Sequence, residues 1–259
     1  MTLAHPAYGQ LRQVTETAAV LLADNPGKMT LDGTNTWILR APGSDDIVVV
    51  DPGPKDSDHL DAVAASGNVV LALVTHRHGD HTGGLKRFHR KTGAPIRALS
   101  EKYVRASTAL VDGEVIEAAG LAITVLATPG HTADSVSFVL DDAVLTGDTI
   151  LGRGTTVLDP KDGTLADYLD SLDKLEAAGE GRVALPGHGA EVPDTAEVAR
   201  FYRKHRLERL AQVEAALVEL GQDAKPMQVV KHVYSDVDKK LWPAARMSVK
   251  AQLAYVRKS

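Results

Sequence analysis

The chain contains no cysteine. Disulfides and thiolate ligands are therefore excluded, and any metal must be held by histidine and carboxylate side chains. The same absence fits a cytoplasmic protein. No apolar run approaches the ~20 residues that span a bilayer, so no membrane association is expected. The N-terminal stretch MTLAHPAYGQLRQ has no basic segment leading into an apolar one, and no signal peptide is expected. Low-complexity tracts are missing too. What is present is ordinary for a soluble globular protein: 259 residues, 44% hydrophobic and 24% charged. That length suits one large domain, or one domain with a small appendage.

The net charge of −5 is unevenly divided. Residues 1–195 carry 16 Lys/Arg against 27 Asp/Glu, giving −11, whereas residues 196–259 carry 13 against 7, giving +6. At the same place a mixed strand and helix pattern gives way to an all-helical one. Two units are therefore expected, 1–195 and 196–259, the second with a basic surface whose alternative reading is simply solvated helix faces.

The most informative stretch is Val69–Gly84, VVLALVTHRHGDHTGG. It opens as a buried strand and then presents His76, His78, Asp80 and His81. On extended backbone His76 and His78 point the same way, and a turn at Gly79 can bring Asp80 and His81 round to join them. Neutral imidazoles with a carboxylate at a strand end suit zinc and leave room for water and substrate.

Around it, strands are expected at Ala18–Ala23 (an edge strand), Thr34–Arg40, Ile47–Asp51, Ile96–Leu99, Val115–Glu117, Leu121–Ala127, Ser135–Leu140, Ala143–Thr146 and Arg182–Leu185. Helices are expected at Ser57–Ala65 with Ser57 as N-cap, at Leu85–Lys91, and at Leu165–Ala177 with leucines three and four apart. Further helices are expected at Thr195–Leu220, Met227–Tyr234, Val237–Leu241 and Ala244–Arg257. Interspersed strands and helices argue an α/β layered fold. Three more strand ends carry ligand chemistry beside glycine: His131 in LAITVLATPGHT, Asp148 in AVLTGDT and His188 in RVALPGHG. The remaining histidines, His5, His59, His89, His205 and His232, read as surface or capping residues. Asp51, in Asp-Pro-Gly-Pro, is either an acceptor for a ligand imidazole or a turn residue.

His-x-His-x-Asp-His, followed by Gly-His, Gly-Asp-Thr and Gly-His, resembles the ligand signature of the metallo-beta-lactamase superfamily. GTNTW (Gly33–Trp37), DPGP, TPGHT-x-DS, GDTILGRGTT, the Tyr168/Ser171-Leu172 helix and LPGHG resemble the beta-lactamase-like protein 2 group within it. The resemblance implies an αββα sandwich. It also implies a small C-terminal winged-helix-like module, for which HRLERLAQVEAAL, KHVYSDVDKKLWPAA and SVKAQLAYVRK supply the helices; with the chain stopping at Ser259, a complete β-wing is not expected.

Carried over by position, the resemblance implies that His76, His78 and His131 hold one metal, that Asp80, His81 and His188 hold a second, and that Asp148 bridges them. Two zinc ions are expected, with manganese or iron as alternatives. Such a pair, about 3.5–4 Å apart, shares a water, lowers its pKa to give hydroxide, and polarises the scissile group. Asp80 would orient or deprotonate that water. Arg153 is a candidate to bind phosphate or carboxylate, and Asn35 to donate to a leaving group or oxyanion; each otherwise serves a turn in its loop. The group includes an endoribonuclease, so cleavage of single-stranded RNA is the first expectation for the substrate. The rivals are a thioesterase of glyoxalase II type and a nucleic-acid-binding regulator with a vestigial hydrolase domain.

Overall fold

The computed structural model describes residues 7–159, 161–235 and 238–257. One mixed sheet takes its strands in chain order: β1 (Arg12–Gln13), β2 (Ala18–Leu22), β3 (Asn35–Leu39), β4 (Asp46–Val50), β5 (Asn68–Leu73) and β6 (Ile96–Arg97). It is antiparallel as far as β4 and parallel from β4 to β6. Parallel neighbours need crossovers. These are α1 (Ser57–Ala64) after β4, and α2 (Gly79–Thr82) with α3 (Leu85–Thr92) after β5. The second sheet has the order β11-β10-β9-β8-β7, with β7 (Val115–Ala118), β8 (Leu121–Ala127), β9 (Val136–Val139), β10 (Ala143–Gly147) and β11 (Val183–Pro186). Only β10 and β11 are parallel there, and α4 (Leu165–Ala178) crosses between them. The chain ends in α5 (Thr195–Leu220), α6 (Pro226–Val233), a 3₁₀ turn at Lys239–Leu241 and α7 (Trp242–Val256).

The unbroken apolar run of β4 shows why the layers stack. Val48 and Val50 enter the core between the two sheets, while Ile47 and Val49 face Leu60, Val63, Leu85 and Phe88 of α1 and α3. A strand covered on both faces has no use for polar alternation. On the far side, Val144 and Ile150 pack beneath Tyr168, Leu172 and Leu175 of α4 and Ala199 and Tyr202 of α5. The result is the expected αββα sandwich. The second half of α5 joins α6 and α7 in a separate core around Val213, Leu217, Val230, Val249 and Leu253. Among the described residues this C-terminal part contains no strand, and no helix is long and apolar enough to cross a membrane.

Several local expectations are corrected. The strand at Ala18 is not an edge strand, because β1 pairs outside it. The N-cap of α1 is Asp56, whose carboxylate accepts from the amides of Asp58 and His59. His59 is buried at 6% exposure, with Nε2 2.8 Å from the Thr36 hydroxyl. The bend at Gly79 is a one-turn helix, which stacks Asp80 and His81 on consecutive positions. Of the short helix expected at Val237–Leu241 only the 3₁₀ turn is present, and Val237, like His5, lies outside the described residues.

Candidate metal centre

Four strand ends deliver the ligand-type residues to one edge of the sandwich. His76 to His81 follow β5, His131 follows β8, Asp148 follows β10 and His188 follows β11. The gathering needs close backbone approach. Gly187 donates its amide to Gly147 at 2.8 Å. A Cβ on Gly187 would lie 2.5 Å from Asp148 Oδ1 and 2.8 Å from His81 Cε1, so only glycine fits there.

The donor atoms converge in two groups: His76, His78, His131 and Asp148; and Asp80, His81 and His188. Nδ1 of His78 is 3.0 Å from Nε2 of His76 and 3.0 Å from Nε2 of His131. Asp148 lies between the groups. Its Oδ2 is 3.8 Å from His76 Nε2, 3.6 Å from His131 Nε2 and 3.3 Å from His188 Nε2, while Oδ1 is 3.5 Å from His81 Nε2. Asp80 Oδ2 is 3.3 Å from His81 Nε2 and 3.2 Å from His188 Nε2. Asp80 is also the more open carboxylate, its side chain 25% exposed against 9% for Asp148.

The far side of each ring fixes which nitrogen faces the centre. His131 Nδ1 donates to the Val157 carbonyl at 2.6 Å, and His188 Nδ1 to the Gly33 carbonyl at 2.9 Å. His81 Nδ1 donates to Asp51 at 2.7 Å and His78 Nε2 to Asp159 at 2.8 Å. His76 Nδ1 meets the Thr75 hydroxyl at 3.0 Å, and that hydroxyl donates to Asp51 at 2.6 Å. Each ring therefore spends its N–H outward and turns a lone pair inward, the arrangement of metal-binding histidines. His81 Nε2 and Asp148 Oδ1 are buried without a hydrogen-bond partner. Facing acceptors of this kind need something between them, and a divalent cation suits a set of imidazoles and carboxylates.

Electrostatics agree. Burial pushes the His76 pKa well below its ordinary value, with further repulsion from His81, and burial lowers His131 as well. Burial also opposes charge on His188, yet Asp148 and Asp80 lift it to about 9. In the same way Asp51, Asp148 and Asp80 overcome burial to raise His81 well above the usual histidine range. Despite the penalty of burial, His81 and His188 hold Asp80 below the ordinary carboxylate range, and His188 and His81 do the same for Asp148. The centre thus favours positive charge among its carboxylates.

Of the two readings of Asp51, the structure supports the acceptor. It takes three hydrogen bonds, counting one from the Thr75 amide at 2.8 Å, and holds them in a left-handed backbone conformation at φ 52°. Asp159, the Val157 and Gly33 carbonyls and Thr75 were not foreseen. Thr75 directly precedes the His-x-His-x-Asp-His motif but is no ligand type, the others belong to no ligand-type motif, and Asp159 lies 81 residues from the His78 it orients.

Asn35 does not face a substrate. Its amide donates to the carbonyls of Pro186 at 2.9 Å and Gly189 at 2.8 Å, holding the loop that carries His188. Arg153 stands at the mouth of the centre in a bidentate pair with Asp32. That mouth is lined by Lys28, Met29, Leu31, Leu151 and Val157, with His131 and Asp148 also on its wall. The basic residues of α5 are mostly committed. Arg203 pairs with Asp173, and Lys204 lies 3.9 Å from Glu208. Arg206 is buried beneath Tyr168 and donates to the Thr156 carbonyl, and Arg209 covers the Tyr234 ring.

The metallo-beta-lactamase superfamily model matches residues 29–188, and a beta-lactamase associated winged helix domain matches residues 226–254. The chain is 33% identical over 274 aligned positions to an atrochrysone carboxyl ACP thioesterase of Aspergillus chevalieri, covering 98% of this chain and 86% of the relative. It is 32% identical over 240 positions to a beta-lactamase-like protein 2 homolog of Caenorhabditis elegans, covering 87% and 79%. A beta-lactamase domain protein from Burkholderia ambifaria shares its fold with a TM-score of 0.79 at 20% identity, covering 98% of this chain and 90% of that one. With the donor atoms, their outward partners and the matched segments in agreement, the chain belongs to the metallo-beta-lactamase superfamily and is a metal-dependent hydrolase.

Proposed function

We propose that the chain is a dinuclear zinc hydrolase of acyl thioesters. The observation that carries this reading is the mouth of the centre. Met29, Leu31, Leu151 and Val157 give it an apolar wall next to His131 and Asp148, which suits an acyl chain whose carbonyl lies over the donor cluster. The likeness to a carrier-protein thioesterase across nearly the whole chain supports it. Imidazole and carboxylate donors without thiolate favour zinc, with manganese or iron as the substitutes to test.

His76, His78 and His131 would hold one ion, Asp80, His81 and His188 the other, and Asp148 would touch both. Bound there, the two ions would supply an activated water and a Lewis acid for the carbonyl. The chain's own part is orientation and proton handling. Asp51, Asp159, Thr75 and the Val157 and Gly33 carbonyls keep the imidazoles turned inward. Asp80, the more open carboxylate, receives the Thr34 hydroxyl at 3.3 Å and is the group placed to take a proton from water.

Cleavage of single-stranded RNA is the second reading. It draws on the likeness to the beta-lactamase-like protein 2 homolog, and two metal ions serve phosphodiesters as readily as thioesters. Two observations weigh against it. The arginines of α5 that would contact phosphates are engaged within the protein, and among the described residues the mouth has no Phe, Tyr or Trp on which a base could stack. The deciding experiment assays metal-analysed protein, reconstituted in turn with zinc, manganese and iron, on an acyl-N-acetylcysteamine thioester and on single-stranded RNA. Two ions per chain and thioester hydrolysis that disappears in Asp80→Asn are the expected outcome. RNA cleavage without thioester hydrolysis would replace this reading with the second.

A further inference from the structure

α1 and α3 begin at the sheet edge where the ligands gather, and between their starts lies a second concavity, a cavity of about 350 Å³. Lys55, Ser57, Gly83, Lys86, Arg87 and Arg90 line it. Four cations around one hollow are unexpected in a unit that carries −11 overall. Arg87 has Asp61 at 3.8 Å, but among the described residues no carboxylate pairs with Lys55, Lys86 or Arg90. All four cations are exposed and three of them have no carboxylate partner among the described residues; like charges crowded in this way cost stability unless an anion joins them.

The hollow is rigidly tied to the metal centre. The Gly53 amide reaches the His81 carbonyl at 3.3 Å, and Gly84 donates to the Gly53 carbonyl at 3.0 Å. A Cβ on Gly83 would collide with the Gly79 carbonyl at 2.4 Å and approach the Lys55 amide at 3.2 Å, so the loop bearing Lys55 is pressed against α2. Asp80 and Gly83 are about one helical turn apart, roughly 5 Å along the axis. A ligand with its reacting carbonyl at the donor cluster would need an arm longer than that rise, able to run past α2, to set an anion in the hollow.

We propose that this basic hollow binds the phosphate of a pantetheine-linked thioester, so that the enzyme selects acyl groups on phosphate-bearing carriers. The inference rests on the thioesterase reading. The ligand chemistry is a phosphate monoester or diester on a thioester arm, which coenzyme A and a phosphopantetheinylated carrier protein both provide. Among the described residues the lining contains no aromatic ring, which disfavours single-stranded nucleic acid as the occupant.

The test compares wild type with a Lys55→Gln, Lys86→Gln, Arg90→Gln variant on acyl-coenzyme A, on the same acyl group carried by a carrier protein, and on its N-acetylcysteamine thioester. The readout is kcat/KM on each phosphate-bearing substrate divided by that on the neutral one. Wild type should favour at least one phosphate-bearing form, and the triple variant should reduce that ratio about ten- to a hundred-fold, the effect of losing charge-assisted hydrogen bonds. Which substrate shows the collapse identifies the carrier. Desulfo-coenzyme A, or the unacylated holo carrier protein, should bind wild type in calorimetry with a salt-sensitive affinity that the variant loses. An unchanged ratio with neutral thioester still cleaved overturns the inference and leaves the thioesterase reading standing. Metal-loaded protein that cleaves no thioester overturns both. Competition by an RNA oligonucleotide that the triple variant abolishes, without any effect on coenzyme A, would assign the hollow to nucleic acid instead.

Discussion

Replacing Asp51 with asparagine changes one atom and should disable half of the metal centre. Asp51 is 2% exposed, and its Oδ1 accepts the Thr75 amide while Oδ2 accepts both the Thr75 hydroxyl and His81 Nδ1. An amide has one acceptor where the carboxylate has two. If its NH₂ takes the place of Oδ1, it opposes the backbone N–H of Thr75, and a buried donor left without a partner costs about 1–3 kcal/mol. If it takes the place of Oδ2, His81 must accept at Nδ1, which moves its proton to Nε2 and removes the lone pair that faces Asp80 and Asp148. The loss of negative charge compounds the effect, because Asp51 is the largest of the influences raising the affinity of His81 for positive charge.

Loss of such a supporting partner lowers metal affinity about 10–100-fold, which is about 1.4–2.7 kcal/mol at ~1.36 kcal/mol per decade. It should fall on the group formed by Asp80, His81 and His188. The group of His76, His78 and His131 keeps Val157 and Asp159, and feels Asp51 only through Thr75. Titration of metal-free Asp51→Asn with zinc against a chromophoric chelator should show one binding step near wild type and one weakened by that factor, with far-UV circular dichroism unchanged. Two unchanged steps, or a greater loss at the His76 group, would refute the assignment of Asp51 as the partner of His81.

Asp80→Asn should lower kcat about 10²–10⁴-fold, the usual worth of a general base, while elemental analysis still finds metal at the His76 group; turnover near wild type would remove Asp80 from proton transfer. His59 is held near a pKa of about 4 by burial, against an ordinary 6.5. The unfolded chain then takes up a proton that the fold refuses, so this contribution is fully present above pH 6.5 and is lost as pH falls toward 4. It amounts to about 3 kcal/mol at ~1.36 kcal/mol per unit. Urea unfolding of His59→Gln should accordingly lose less stability than wild type across that window, and parallel pH curves would contradict the burial of a neutral ring. Gly187→Ala should displace Asp148 or His81 and reduce bound metal in inductively coupled plasma analysis; full occupancy in a folded variant would show that the strand ends can part without harm to the site.

The seven ligand-type residues are legible because they fall in four short motifs, each a strand end with glycine beside it, and local chemistry suffices to mark them. The layers are legible for a similar reason: runs such as IVVV in β4 only make sense when both faces are covered. What the sequence hides is reciprocity over distance. Asn35 looks like a free donor, yet its amide is claimed by carbonyls 151 and 154 residues away, whose positions follow from the meeting of β3 with the end of β11. His59 looks like a surface residue of a short helix until the DPGP loop and Thr36 close over it. Asp159 carries no motif at all. Its role depends on a loop folding back on His78 and Arg77, which no local pattern specifies.

Charge count misleads most in α5. A surplus of lysine and arginine after residue 195 suggests a surface for an anionic polymer, but a count of charges is silent about their partners. Arg206 gives the opposite lesson. Its guanidinium lies buried over Tyr168 and donates to the Thr156 carbonyl. The Thr156 hydroxyl in turn donates to the Asp148 carbonyl at 2.7 Å, and the next carbonyl, that of Val157, holds His131. A buried cation on α5 is thus joined through Thr156 to the backbone of Asp148, and Thr156 adjoins Val157, whose carbonyl holds the His131 ring. That explains why a helix at the start of the basic segment packs on the sandwich before it packs on α6 and α7. Its positive charge is spent in supporting the loop behind the candidate metal centre. Cations with no such duty, Lys55, Lys86 and Arg90, stand on the other outer layer around the starts of α1 and α3, where the proposed phosphate subsite lies.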